Sequence, residues 1–299
     1  MSTPHDGAVV VGGFDVCVVG SSNLDLVATA AVLPDPGETV MGRDYAEHPG
    51  GKGLNQAVAS ARAGARTGFV SAVGVDTAGN DLLEVMAGDH IDTTHVARRH
   101  GVPTGRALIG VSDSGDNAII VVPGANATVT IDELPMARVV LAQLEVPIET
   151  VRHAFRLARA AGATTVLNPS PAQHLPPELL ALCDIVVPNE HEVELLGGVD
   201  QLLALGARAV VVTEGSKGAT LHRDGRVERI PPFTVTPIDT TGAGDTFCGV
   251  LCARIAAGDH LSVALRQASA AAALSTTRAG AVPSIPFDHE VNAFIDAGE

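Results

Sequence analysis

Tryptophan is missing from this 299-residue chain, and one Tyr and seven Phe are all the aromatic rings it has besides histidine. A core so poor in rings must be filled by small side chains packed closely, and Ala, Val, Leu and Gly dominate the sequence. That composition suits helices lying on a parallel sheet. Basic residues are scarce as well: 19 Lys and Arg against 34 Asp and Glu leave a formal net charge of −15. A nucleic acid or an anionic membrane would require a basic face, so neither is an expected partner. A phosphorylated small molecule is not excluded, because local backbone amides and a few cations suffice to hold it. Cysteine is limited to Cys17, Cys183, Cys248 and Cys252, with no CxxC spacing. Two thiols one helical turn apart, Cys248 and Cys252, do not complete a tetrahedral zinc site, so buried reduced thiols are expected. No basic stretch followed by an apolar segment opens the chain, and no apolar run approaches membrane-spanning length. A soluble, cytoplasmic protein is the expectation. The sequon Asn126-Ala127-Thr128 is without consequence in that compartment. Internal repeats, low-complexity tracts and domain-separating linkers are absent too.

What is present is alternation. Residues 1–13 read as a flexible tail. Apolar runs predict strands at 15–20, 68–74, 139–145, 165–169, 185–189 and 209–213. Between and after them, helical patterns cover 76–90, 149–162, 177–182, 261–277 and 287–297. Two hairpins interrupt the rhythm, at 107–122 around Asp113–Asp116 and at 219–230. The first of them, with weak strands near 38–45, predicts a small separate sheet. The whole predicts one mainly parallel sheet covered on both faces by helices, a three-layer α/β/α arrangement.

The most informative stretch is Asp239-Thr240-Thr241-Gly242-Ala243-Gly244-Asp245, which runs into an apolar helical segment from Thr246. A Gly-rich turn opening a helix holds anions, because first-turn N–H groups lack intrahelical partners and the macrodipole is positive there. Asp245 adds a carboxylate placed to take a proton from an attacking hydroxyl. Taken alone, a Gly-rich turn capped by an Asp explains the stretch equally well. A second Gly-rich turn, His48 to Gln56, opens a helix running through Ala57 to Gly64. Lys52 there is followed by Gly53, so this is no Walker A loop. Asn23 and Asp25 follow the first strand, and in extended backbone they face the same way; an Asx-rich turn fits them equally. Glu145, Asn168, Asn189 with Glu192, and Thr213 also stand at predicted strand ends. Right-handed βαβ units carry all these ends to one edge of the sheet, where open α/β sheets bind ligands. Such a set fits phosphoryl transfer, which needs positioning and charge stabilisation more than covalent catalysis. Asn189 and Glu192 could orient hydrated Mg²⁺, and Asn23, Asp25 and Asn55 suit a polyhydroxylated acceptor.

Asp-Thr-Thr-Gly-Ala-Gly-Asp at 239–245, Gly-Gly-Lys-Gly-Leu-Asn-Gln at 50–56 and Asn-Glu-His-Glu at 189–192 resemble three signatures of the ribokinase (PfkB-type) sugar kinases, in order and spacing. Pro-Gly-Glu-Thr at 36–39, Leu-Asn-Pro-Ser-Pro at 167–171 and Thr-Arg-Ala-Gly-Ala-Val-Pro-Ser at 277–284 extend the resemblance over nearly the whole chain from Asp15. It implies a ribokinase-like fold over 14–299, with a β-sheet lid from about 22–50 and 102–123 that often forms a homodimer interface. It implies ATP-dependent phosphorylation of the 5-hydroxymethyl group of D-ribose, with Asp245 as base and Gly242, Ala243 and Gly244 as anion hole. Asn23, Asp25, Gly51, Lys52, Asn55 and Glu145 would contact the sugar. Asn189, Thr213, Gly215, Ser216, Lys217, Gly218, Gly244 and Ser269 would line the ATP site, with Glu192 serving Mg²⁺ through water. A K⁺ ion would lie among Asp239, Thr241, Ser275, Arg278, Gly280 and Ser284, mostly on carbonyl oxygens. Four features depart from the family pattern: Leu54 in place of Ala, Arg106 beginning a lid strand, Ser269 near the adenine, and a shortened segment between Glu192 and Thr213. Rival readings are a kinase for another sugar or for a nucleoside, and a catalytically silent sugar-binding regulator. A nucleoside would want a stacking group in the lid, where little beyond Tyr45 is offered.

Overall fold

The computed structural model describes residues 13–298, so the tail expected at 1–13 lies almost wholly outside the described residues. β1 (Phe14–Val19) leads to β2 (Asn23–Ala30), β3 (Gly42–Gly50) and helix α1 (Lys52–Arg62). Then come β4 (Thr67–Gly74), α2 (Thr77–Gly88), β5 (Val96–Arg99), and the hairpin of β6 (Gly105–Ser112) and β7 (Asn117–Val122). The next stretch carries β8 (Ala137–Ala142), α3 (Ile148–Ala160), β9 (Thr164–Leu167), α4 (Pro177–Leu180), β10 (Ile185–Val186), α5 (Glu190–Leu195), α6 (Val199–Ala204) and β11 (Ala209–Thr213). The hairpin β12 (Ala219–Arg223) and β13 (Arg226–Ile230) precedes helices α7 (Ala243–Ala257), α8 (Leu261–Ser275) and α9 (Asp288–Gly298).

The main sheet has nine strands in the order β13-β12-β11-β10-β9-β8-β1-β4-β5. Pairing is parallel from β11 through to β5 and antiparallel in the terminal hairpin. β1 sits inside it, and its alternation divides the core. Val16 and Val18 enter one apolar layer with Leu54, Phe69 and Leu251, while Cys17 and Val19 enter the other with Val140 and Phe155. The small side chains let helices approach closely. A Cβ on Gly249 of α7 would lie 2.5 Å from both the Ala59 Cβ and the Gln56 carbonyl oxygen of α1. All four cysteines are free and buried, as expected. Among the described residues no helix is long and apolar enough to cross a membrane.

The second sheet is the expected small one, in the order β3-β2-β6-β7. β2 pairs antiparallel with β3 and parallel with β6. Two strands went unread in the sequence. β2 begins at the polar pair Asn23 and Asp25, which resembles a turn, and β5 is a short edge strand in which only Val96 is buried. Helix α1 starts at Lys52 instead of Ala57, because Gly51 reverses the chain at φ 89° and the Gly-Lys-Gly sequence already winds the first turn. β10 stops at Val186, since Pro188 has no N–H for the ladder. The short segment between Glu192 and Thr213 still holds a six-residue helix, α6.

Candidate active site

The C-terminal ends of the parallel strands and the first turns of α1 and α7 meet beneath the small sheet. Gly242 caps α7 in the left-handed region at φ 74°, which places Asp245 in the first turn. The Asp245 carboxylate is buried, 7% exposed, and lies beside α1. Its Oδ2 accepts from Asn55 Nδ2 at 2.9 Å and its Oδ1 from Gln56 Nε2, also at 2.9 Å. Burial pushes its pKa up, opposed by Lys52 and by the two amides, and Glu145 adds to the upward push. Lys52 is subject to the opposite forces. Burial favours its neutral form, but Asp245, Glu145 and Glu192 outweigh that and keep it a cation.

Glu145 stands three residues past the end of β8 and accepts at Oε2 from the Lys52 backbone N–H at 3.0 Å and from Ser21 Oγ at 2.5 Å. It therefore shares the capping of α1 with Ser21, whose Oγ and carbonyl oxygen accept from the Gly53 and Leu54 N–H groups at 3.3 and 2.9 Å. Asp25 is pushed up to about 7 by burial and by the neighbouring Glu145 and Asp245, against the pull of Lys52. Asn23 Oδ1 accepts from Asn126 Nδ2 at 2.7 Å, and Asn126 also bonds the Ser22 backbone through both ends of its amide. The sequon residue Asn126 is thus a buried strut. Gly51 belongs to the same corner, where a Cβ would fall 2.8 Å from the Asn23 nitrogen.

Two cavities adjoin this cluster. The smaller, about 180 Å³, is lined by Lys52, Asn168, Asn189, Glu192, Gly244 and Asp245 among others. The larger, about 650 Å³, is lined by Asn189, Thr213, Gly215, Ser216, Gly218 and Gly244, and its far wall includes Phe233, Phe247 and Ser269. Gly244, Asn189 and Thr213 border both. The Ser269 hydroxyl is buried without a partner and faces a chamber large enough for a nucleotide base. Of the predicted sugar contacts only Lys52 lines either cavity, Asn23, Asp25, Gly51, Asn55 and Glu145 lying behind its wall, and of the predicted ATP-site residues Lys217 alone is left outside. It is exposed, forms no part of the lining, and pairs with Glu190 at 2.8 Å. Asn189 and Glu192 form a capping box on α5: Asn189 Oδ1 accepts from the Glu192 N–H at 2.8 Å, and Glu192 Oε2 from the Asn189 N–H at 2.9 Å. The helix cap and the cavity wall are the same two residues.

Asp239 joins two loops, accepting at Oδ1 from the Thr241 N–H at 2.9 Å and at Oδ2 from the Gly280 N–H at 2.8 Å. Those bonds hold its pKa below the usual carboxylate range despite partial burial. Ser275 and Ser284 donate their hydroxyls to the Ala272 and Ala281 carbonyls, and Arg278 pairs with Glu290 at 2.5 Å. The side chains of Asp239, Ser275, Ser284 and Arg278 are thus engaged within the protein.

Sequence reasoning missed Gln56, Gln143, Asn126 and the Phe233 wall. Gln56 lies inside a quoted motif and was passed over beside Asn55; the others have no local signal. Two departures prove remote from the pocket. Leu54 is fully buried in the core, and Arg106 pairs with Leu24 in the lid register, so its side chain takes the face opposite Asn23 and Asp25. Tyr45, opposite Ala28, lies on that far face too and is 57% exposed.

Residues 14–288 match the pfkB family of carbohydrate kinases. The Staphylococcus aureus ribokinase is 39% identical over 298 residues, covering 93% of this chain and 98% of the relative. The Haemophilus influenzae ribokinase is 40% identical over 298 residues, with 93% and 97% covered. Among solved structures, the Arabidopsis thaliana ribokinase complexed with ribose and ATP superposes with a TM-score of 0.87 at 31% identity, covering 95% of this chain and 99% of that one.

Proposed function

The chain belongs to the pfkB family of carbohydrate kinases, and from that premise we propose that it transfers the γ-phosphoryl group of ATP to the 5-hydroxyl of D-ribose. Full-length likeness to ribokinases supports the substrate pair. The observation that carries the chemistry is the place of Asp245: buried, anchored by two amides, and lining the small cavity, which shares Gly244 with the larger one. Asn23 and Asp25 from the lid, Asn55 and Lys52 from α1, and Glu145 present donors and acceptors suited to sugar hydroxyls. The unpartnered Asn55 Oδ1 is a ready acceptor for one of them. With the sugar seated, Asp245 takes the proton of the attacking hydroxyl. The N–H groups of the first turn of α7 then face the phosphoryl oxygens as their charge spreads. The lid face toward Asp25 carries no Phe, Tyr or Trp; its one ring is the imidazole of His48, paired with Asp25, which offers a nucleoside little to stack on.

Among the described residues no three acids, histidines or cysteines gather as a metal cage. The residues fit Mg²⁺ held indirectly: Glu192, with its second oxygen free toward the small cavity, and Asn189 would orient its water shell. When bound, that ion neutralises phosphate charge. The carbonyl-rich loop around Asp239 and Gly280 fits K⁺ beside the anion hole. Both readings meet in one assay. ADP release across pentoses, hexoses and nucleosides should be fastest with D-ribose and slower when Na⁺ replaces K⁺. A faster hexose or nucleoside would overturn the substrate, and indifference to the cation would overturn the K⁺ site.

The lid also supports a homodimer. All of β7 is exposed, including Ile119, Ile120, Val121 and Val122, and Leu108 beside it is 43% exposed. Such a row of bare apolar side chains is a liability unless covered. Sedimentation should show a dimer that Ile120→Glu converts to monomer; a monomeric parent protein would refute this. Four buried free thiols suit a cytoplasmic location, to be checked by cell fractionation.

A further inference from the structure

We propose that Gln56, oriented by Asn168 and Gln143, is a positioning residue that holds the Asp245 carboxylate in one orientation toward the cavity and as the anion. The inference rests on the reading of Asp245 as the base. The direction of every amide in the chain can be followed from one fixed point. The Val187 backbone carbonyl can be met only by a donor, and Asn168 Nδ2 meets it at 2.9 Å. Asn168 Oδ1 must then be an acceptor, and Gln56 Nε2 donates to it at 3.1 Å. The second hydrogen of the same Nε2 goes to Asp245 Oδ1 at 2.9 Å. That leaves Gln56 Oε1 to accept, and Gln143 Nε2 donates to it at 2.9 Å. A flipped Gln56 would turn its carbonyl onto two acceptors and its NH₂ onto another NH₂, so the network admits one arrangement.

The parts are built for this. Gln56 and Gln143 are wholly buried, and both hydrogens of Gln56 Nε2 are spent on Asn168 and Asp245, which leaves it no donor for a sugar or nucleotide. Room for Gln143 depends on Gly20 at the end of β1, where a Cβ would fall 2.1 Å from the Gln143 Oε1. Each member comes from a different element: Gln56 from α1, Gln143 from the end of β8, Asn168 from the end of β9, Asp245 from α7. The carboxylate is thereby referenced to the central strands as well as to its own helix. The charged or titratable groups that act on Asp245 are Lys52 of α1, Glu145 after β8, Asp25 of β2 and Cys248 of α7. Lys52 is the one cation among them. The neutral donors Asn55 and Gln56 supply the remaining support for the anion, and a carboxylate with two N–H bonds is favoured in its charged form.

Gln56→Glu keeps the shape and replaces the donor with an acid. The expected result is an acid limb of the kcat–pH profile moved up by about one pH unit or more, lower turnover at neutral pH that recovers as pH rises, and a sugar KM within about twofold of the parent. Gln143→Met, which frees the Gln56 amide without touching Asp245, should move the limb in the same direction by less. A loss that is uniform across pH, or a limb that stays in place in a variant that melts cooperatively, overturns the proposal. If Gln56→Glu does not fold, the Gln143→Met limb decides alone. Asp245→Asn separates the two readings: an active variant removes the base assignment itself, whereas an inactive one with unmoved limbs in the glutamine variants removes only the positioning role.

Discussion

Asp245→Asn is expected to lower kcat by roughly 10²–10⁴-fold, the usual worth of a positioned general base, while sugar binding by titration calorimetry stays within a few-fold. The substitution is nearly isosteric, so the fold has little to accommodate. Its new NH₂ would face a donor, and Asn55 can answer by turning its amide, since the Asn55 Oδ1 is buried and unpartnered. The phosphoryl oxygens still meet the first-turn N–H groups, because those belong to the backbone of α7. What disappears is the only lining carboxylate that α7 places between Lys52 and the anion hole. Undiminished turnover in this variant would exclude Asp245 as the base.

Gly244→Val should do the reverse of an ordinary glycine replacement: turnover falls and stability holds. A Cβ at Gly244 meets no protein atom within 4 Å, and the residue has ordinary helical backbone. Glycine is among the poorest helix formers, costing up to about 1 kcal/mol relative to alanine. The melting temperature is therefore expected to stay level or rise. The open space is instead that of the two cavities, both of which Gly244, alone of the α7 glycines, borders. A side chain there would stand where the phosphoryl group must approach the N–H donors, and spoiling such a site costs roughly 10²–10³ in kcat. Measured kcat/KM for ATP, beside a thermal melt of the same protein, tests both halves. Normal turnover would mean that the phosphoryl group passes elsewhere. Gly249 is bare for the opposite reason, because α1 already occupies the space its side chain would need.

The contrast shows what a sequence discloses about such a site. Gly244, Asp245, Lys52 and Asn55 were legible because each sits in a motif whose backbone geometry forces a particular residue type. The strand ends were legible because buried parallel strands are continuous apolar runs, and polar residues stand out where they stop. Gln143 and Asn126 were invisible. Their work is done by side-chain bonds to residues 87 and 104 positions away, respectively, and nothing local marks them. Lys217 misled for a related reason: it lies in a loop that does line the cavity, but its side chain turns outward to Glu190. β2 was hidden because its first residues are the polar ones that hold the site, so the strand looks like a turn where it matters most.

The intimate fit of α1 against α7 through Gly249 has a consequence for how such an enzyme can diverge. Asn55, Gln56 and Asp245 are joined into one block, so, on the roles proposed above, a substitution that alters the grip of α1 on the sugar would also disturb the base. Asn23 and Asp25 come from the other sheet and share no helix with the base. If β2 and α1 hold the sugar as proposed, changes in β2 can alter its grip without touching the hydrogen bonds that join Asn55, Gln56 and Asp245, and reach Asp245 only through the charge of Asp25.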